Sequence, residues 1–451
     1  MKKGMFFALA ASSLLFSACS SDDAVVSTEG QNETVQQIVL QVASSGDGLS
    51  TRAGRPLYSS EALQTIQHVR VLIYNTKTNA IVKDEQLDWT KSDKYDNHGR
   101  QHTLTYKGDK RLEGGSYKVM AVGYSENSDY TYSLDVTGAS LTGKTYSDIT
   151  ATLKEGKKDA EEVFAGDADL KIGVDKNITN FTSGEKNGVA VTLHRQVAGS
   201  FGYFSNIPAK VGDKTAATLR LVVRDKNDKL TFDNFNSSFT ANGATGSTIK
   251  YYVNGSTSTG AALATTDKFS NGDNGYVLYS IDLKTWFPQL DENGDGVLNA
   301  QDASWKRPDN VKTQVVKGSV FGSNFVIPFK YTEGKSTMEL QLLDADGNII
   351  KHWTVSIPES DLNKVAANGV TDADASIFNV VRNHMYNLGV KTSTGTTTTP
   401  DPSNPTPDPK PDPKPTPDPG KDEPEDLTKS QNLILKVNDN WEVIHKLVLG
   451  D

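Results

Sequence analysis

The clearest chemistry in this chain lies in one stretch, Asp291-Glu292-Asn293-Gly294-Asp295-Gly296-Val297-Leu298-Asn299-Ala300-Gln301-Asp302. Oxygen-bearing side chains fall at loop positions 1, 3, 5, 9 and 12, with a glycine at 6 and an apolar residue at 8. A hard cation takes ~6–8 oxygen ligands, and this spacing wraps a loop around one. Asp291, Asn293 and Asp295 would give side-chain oxygens and Val297 its carbonyl. Asn299 would act through a water, and Asp302 would offer both carboxylate oxygens. The expected ion is calcium, held for rigidity and not for reaction. The plainer alternative is an Asn/Asp/Gly-rich turn without metal. Pro288 and Pro308 bracket the stretch, so long flanking helices are not expected.

Little else could do chemistry. None of the seven histidines falls in an HExxH context. His98 and His102 stand four apart, but Gly99 between them argues for a loop, where that spacing aligns nothing. No GxSxG, P-loop or GxGxxG context is present. No pair of carboxylates is distinguished, so catalysis is not expected. A net charge of -9 without a basic cluster argues against nucleic acid. Tyr130 and Tyr132 share a strand face, whereas Tyr251 and Tyr252 must point to opposite faces. Both pairs read better as packing rings than as a platform for sugars.

The N-terminal residues carry addressing signals. Lys2 and Lys3, an apolar core over residues 5–16 and small residues before Cys19 make a secretory leader. Leu15-Phe16-Ser17-Ala18-Cys19 resembles a bacterial lipobox, whose cysteine is acylated and anchors the chain without spanning the membrane. Cys19 is the single cysteine, so no internal disulfide is possible. Beyond the leader no apolar run reaches the ~20 residues of a membrane span.

Alternating apolar and polar residues dominate the rest, which predicts an all-β protein. Residues 35–43 form a first strand with Ile38, Leu40 and Val42 on one face. A Gly/Ser-rich loop carrying Arg52 and Arg55 follows, open to proteolysis. Further strands are expected at 69–74, 117–122, 189–193, 219–223, 276–279, 338–342, 349–355 and 380–390. Short helices are expected near 60–63 and 361–367, and Asp346-Gly347 should close a hairpin. Two antiparallel sandwich domains, 53–187 and 188–393, follow a leader (1–19) and a tether with its strand (20–52). A linker over 394–430 holds eleven of the 17 prolines, which makes it an extended spacer. At ~3.1 Å per residue it could reach on the order of 100 Å. It leads to residues 431–451, where Leu433, Leu435, Val437, Trp441, Val443, Leu447 and Leu449 alternate with mostly polar neighbours. That strand has an apolar face and no hairpin partner beside it. It must dock at a distance, on its own molecule or another.

Lipobox, early strand, loop arginines, two β domains and last strand together resemble the type V fimbrillins of Bacteroidales. Arg382-Asn383-His384-Met385-Tyr386 is similar to their strand before the tail, and Trp441 with its alternating apolars to their terminal strand. The resemblance implies tandem transthyretin-like sandwiches and a lipoprotein carried to the outer membrane. An arginine-specific or trypsin-like protease would cut after Arg52, leaving Ala53 first, with Arg55 the second choice because Pro56 follows it. The strand around 38–42 would leave, and residues 431–451 of another copy would enter as a donor strand. Implied partners are copies of the chain in a homopolymer, anchor and tip subunits, and a host or bacterial surface ligand. The competing expectation is an anchored surface lipoprotein or tip adhesin that binds glycan or host protein.

Overall fold

The structure is a computed structural model. It describes residues 35–42, 66–91, 94–96, 99–133, 149–182, 188–232, 254–309, 311, 315–330, 338–356, 379–380, 382, 385–390, 422–429 and 432–438. The helices expected near 60–63 and 361–367 lie outside them.

In chain order the strands begin with β1 (Gln36–Val42), β2 (His68–Asn75), β3 (Ile81–Asp88), β4 (Lys94–Asp96) and β5 (Gly99–Tyr106). Next come β6 (Gly115–Tyr124), β7 (Tyr130–Tyr132), β8 (Thr150–Leu153), β9 (Phe164–Ile172), β10 (Gly188–Arg195) and β11 (Ala198–Ser205). Then follow β12 (Thr218–Val223), β13 (Lys229–Thr231), β14 (Gly255–Ser256), β15 (Tyr276–Asp282), β16 (Ser319–Val326), β17 (Met338–Leu343) and β18 (Ile349–Ser356). The last are β19 (Met385–Leu388), β20 (Glu425–Asp426), β21 (Asn432–Ile434) and β22 (Lys436–Asn438). One short helix, α1 (Leu283–Trp286), is capped by the Asp282 side chain. The all-β expectation holds. Among the described residues no helix is long and apolar enough to cross a membrane.

An eight-stranded sheet runs β3-β2-β6-β9-β10-β1-β5-β4. Successive residues of a strand face opposite sides, and the burial follows that rule. Val69, Val71, Val119 and Ala121 join Ile38 and Leu40 in one core. Their neighbours Leu72, Met120 and Val122 pack on the other side with Ala151, Leu230 and Phe232. That second layer is a small sheet, β14-β13-β8-β7. The remaining strands form two further sheets, β16-β11-β19-β22 with β20 beside β11, and β15-β12-β17-β18-β21. Phe201, Tyr203, Leu221, Leu340, Trp353 and Leu388 share the core that these strands bury.

Several sequence boundaries move. A division at residue 187 would give β10 to the second domain, but β10 is paired on both sides within the first sheet, to β1 and β9. The strands β8 and β13 come from opposite sides of that division and pair with each other, Ala151 opposite Leu230. The pattern over 380–390 is broken into Asn379–Val380 and β19. His102, expected in a loop, stands in β5. The hairpin at Asp346-Gly347 forms as expected between β17 and β18, with Gly347 at φ +82°. Nor is the pairing purely antiparallel. The pairs β1/β10, β11/β19, β11/β20 and β18/β21 are parallel. A parallel pair needs a long connection, and each of these contains a strand brought in from far along the chain.

At the end of β10 the Arg195 guanidinium lies 2.9 Å from the Glu162 carboxylate, and both side chains are buried. The guanidinium also sits 5.0 Å from the centre of the Phe164 ring. Removing one partner of such a pair strands the other charge away from water. Arg195→Met should therefore lower the stability of the fold by about 3–5 kcal/mol, read as a drop in the urea midpoint.

Candidate functional site

Position decides the importance of β1. It enters the middle of the large sheet, between β10, which runs parallel to it, and β5, which runs antiparallel. Ile38 and Leu40 are fully buried. Side chains fix the register. The Gln36 amide donates to the carbonyls of Leu112 (3.0 Å) and Lys176 (2.8 Å) and accepts from the Leu112 N–H (2.8 Å). Nearer the other end, Gln41 donates to the Thr192 hydroxyl at 3.2 Å and accepts from the Gln101 amide at 3.4 Å. Gln36 was missed as an anchor. Its signal was a polar residue in step with Ile38 and Leu40, on the face meant for burial.

The described part of the tail, 432–438, is docked on its own chain. β21 adds to the edge of one sheet beside β18, with Leu433 opposite Val355. β22 then adds to the edge of the other beside β19, with Val437 opposite Tyr386. Between the two strands Leu435 is fully buried, and it shares the core with Leu433. The linker also ends earlier than residue 430. Glu423 exchanges both backbone bonds with Val390, and β20 pairs with β11. Leu427 is fully buried. Asp426 accepts from Asn206 at 2.8 Å and from the Thr428 hydroxyl at 2.6 Å, and it pairs with Lys429 at 2.9 Å.

The calcium-like loop is clamped to the body. The Val297–Leu298 pair bonds to Ile207–Pro208, and Leu298 is fully buried. Gly294 and Gly296 take φ values of +72° and +83°, which only glycine adopts without strain. Asp291 accepts from the Gly296 N–H (2.8 Å) and Asp302 from the Asn299 N–H (2.8 Å). Asp295 accepts from the Val297 N–H (2.8 Å) and from the side-chain amides of Asn293 (3.0 Å) and Asn299 (2.8 Å). The Asn299 side-chain bond, followed by that backbone bond, leads the contacts that hold the Asp295 carboxyl below its usual pKa. Among the described residues no group of three or more His, Cys, Asp and Glu side chains is placed to hold a metal. The loop closes on its own amide donors, and a cation here would have to replace those of Asn293 and Asn299. No long helix flanks it. Among the described residues the only α-helix near it is α1, of four residues, which comes before it.

Cys19, Arg52, Ala53 and Arg55 lie outside the described residues, as do Trp441, Val443, Leu447 and Leu449. Tyr130 is buried, its ring centre 6.0 Å from that of Tyr132, which lies 5.0 Å from that of Tyr124. This is a packing cluster, as the sequence suggested, and Tyr251 and Tyr252 lie outside the described residues.

No family model matches the sequence, and no curated protein does. Among solved structures, similarity extends to a fimbrial assembly protein from Parabacteroides distasonis, 13% identical over 80% of this chain and 93% of that one, with a TM-score of 0.33. The tip fimbrial protein Mfa3 from Porphyromonas gingivalis is 10% identical over 79% and 94%, with a TM-score of 0.34. The fimbrial anchor protein Mfa2 from the same organism is 9% identical over 78% and 90%, with a TM-score of 0.32.

Two outcomes follow from these contacts. Gln36→Ala leaves the buried N–H and C=O of Leu112 without this partner and should cost about 1–3 kcal/mol. Faster amide exchange in β1 than elsewhere in the sheet would register the loss. For Asp426, burial raises the pKa, but bonds from Thr428, Lys429 and Asn206 outweigh it and bring it from 3.8 to about 2. A depressed carboxyl contributes stability above its unfolded value and loses it as pH falls through the folded one. The tail should loosen between about pH 4 and pH 2. The Leu433 and Leu435 methyl resonances would show this, and Asp426→Asn should abolish that pH step.

Proposed function

We propose that this chain is a stalk subunit of a surface pilus built by strand exchange. An arginine-directed protease cuts after Arg52, β1 leaves with the lipid on Cys19, and the last strand of another copy fills the vacated place. The seat of β1 carries this reading. A single strand, bonded on both sides at the centre of a sheet, is joined onward through the stretch that holds Arg52 and Arg55. Taking it out uncovers two facing rows of backbone donors and acceptors over an apolar floor, which accepts any strand with matching alternation. The terminal series offers that alternation. With Leu433 and Leu435 committed to the chain's own core, the entering residues are Trp441, Val443, Leu447 and Leu449. Anchor and tip subunits would end the polymer, and adhesion to a host or bacterial surface is its use. Calcium in the loop of Asp291, Asn293, Asp295, Val297, Asn299 and Asp302 would stiffen the subunit.

Assembly tests this directly. Residues 53–451 should form fibres and SDS-resistant ladders, whereas the same chain ending at Asn438 keeps its core leucines and should stay monomeric. If both stay monomeric, the polymer reading fails and an anchored surface lipoprotein binding glycan or host protein takes its place. Terbium luminescence should report one cation site that Asp295→Ala abolishes; no binding at millimolar calcium removes the metal from the proposal.

A further inference from the structure

Away from the seat of β1 and from the docked tail, a cleft of about 1060 Å³ opens where the chain crosses between sheets. Its walls are the link after β8, residues between β12 and β13 and between β14 and β15, and parts of β15 and β16. A smaller hollow of about 380 Å³ adjoins it and shares Lys226, Asn227 and Tyr276. Binding sites for small ligands commonly span ~300–1,000 Å³.

Four lysines and four carboxylates, Glu155 among them, line this cleft, and they are unevenly paired. The carboxylates of Asp159, Asp228 and Asp267 each accept a hydrogen bond, from Asn324 (2.8 Å), Ser258 (2.6 Å) and Arg220 (2.6 Å) respectively. Two of the lysines are also engaged. Lys154 donates to the Ser128 carbonyl at 2.6 Å, and Lys157 pairs with Asp129 at 2.7 Å. Lys158 and Lys226 differ, because neither makes an ion pair among the described residues. The half-buried Lys226 ammonium has one hydrogen bond among them, 3.5 Å to the Val277 carbonyl. Burial lowers its pKa, Asp159 opposes that, Lys158 adds to it and Asp267 opposes it again. An ammonium taken partly out of water with so little in return is a site for an anion.

We propose that this cleft binds a carbohydrate bearing a carboxylate, with the carboxylate received by Lys158 and Lys226. The sugar hydroxyls then donate to Asp159 and Asp228 and accept from the Asn227 amide, whose other N–H donates to the Pro328 carbonyl at 2.7 Å. The same carboxylates argue against an acidic peptide or another polyanion, whose repeated charges they would repel. A ligand with one anionic group and many hydroxyls fits both halves of the lining. The proposal is independent of strand exchange, since none of the lining residues belongs to β1 or to the tail strands.

Calorimetric titration of the full chain tests it with four probes: a disaccharide ending in glucuronate, the same disaccharide ending in glucose, sodium acetate and a short glutamate peptide. The acidic disaccharide should bind about tenfold or more tighter than the other three. Lys226→Met should lose about the same factor, while Lys110→Met, at an exposed turn elsewhere, should change nothing. Lys158→Met is the second variant; its exposed side chain can be removed without risk to folding. Equal binding of the neutral sugar, of acetate or of the peptide overturns the proposal, as does no heat from any probe at millimolar concentration. Unchanged affinity in both cleft variants with unchanged melting temperature overturns it too.

Discussion

Backbone N–H and C=O groups that lose water must find partners, and at the middle of a sheet only another strand supplies them. In this protein β5 and β10 face each other across a gap one strand wide, and β1 satisfies both rows. The layer beneath depends on the same strand, because Ile38 and Leu40 floor the core that Val69, Val71 and Val119 build from the other strands. Elsewhere the tail meets the same requirement at two sheet edges. β21 covers the open side of β18 and β22 that of β19. Exposed edges invite pairing with other chains, and occupying them is one way to prevent it.

Strands that arrive from afar lack a turn to set their register, so side chains must do it. A slip of one residue would turn Ile38 and Leu40 out of the core. Gln36 opposes that slip, since its three bonds fit the groups at Leu112 and Lys176 in one register only. Leu433 and Leu435 play the corresponding part in the tail, being fixed in one core while the strand changes sheets between them. Asp426 secures the approach to that crossing through Asn206. The parallel pairs of the fold thus join strands distant in sequence, and β1 and the tail are each held by a few specific side chains.

Period-two alternation made the individual strands legible, from β1 to the hairpin of β17 and β18, because it reports which face is buried. It does not report what a face is buried against. For this reason the sequence left the tail free to dock on its own molecule or another, and gave no sign that β13 would pair with β8 across the division near residue 187. The oxygen spacing of residues 291–302 was legible as a loop turning at Gly296, and the structure adds a second positive-φ glycine, Gly294, and the amide bonds that close the loop. Lys226 was not legible at all. In the run Arg224-Asp225-Lys226-Asn227-Asp228 it looks like one more turn residue, and only the tertiary packing of strands from both halves gives it a cleft.

The two ends of β1 are held unequally, and on the strand-exchange reading that inequality sets a direction. At the Gln36 end an amide is fully buried and makes three bonds to backbone groups. At the Gln41 end the side-chain bonds are longer, 3.2 and 3.4 Å, and their partners are other side chains that water can replace. This weaker end is also the one that continues toward Arg52. A cut there frees the end that can fray first, while Gln36 keeps the rest of the strand seated over the core. On that reading an incoming strand would pair with β5 and β10 one residue at a time as β1 withdraws, and the apolar floor would not open all at once. The barrier to such an exchange would be the loss of a few ladder bonds at the fraying end, with the buried Gln36 contacts broken last. A strand anchored equally at both ends would have to leave in one step, exposing Ile38 and Leu40 together.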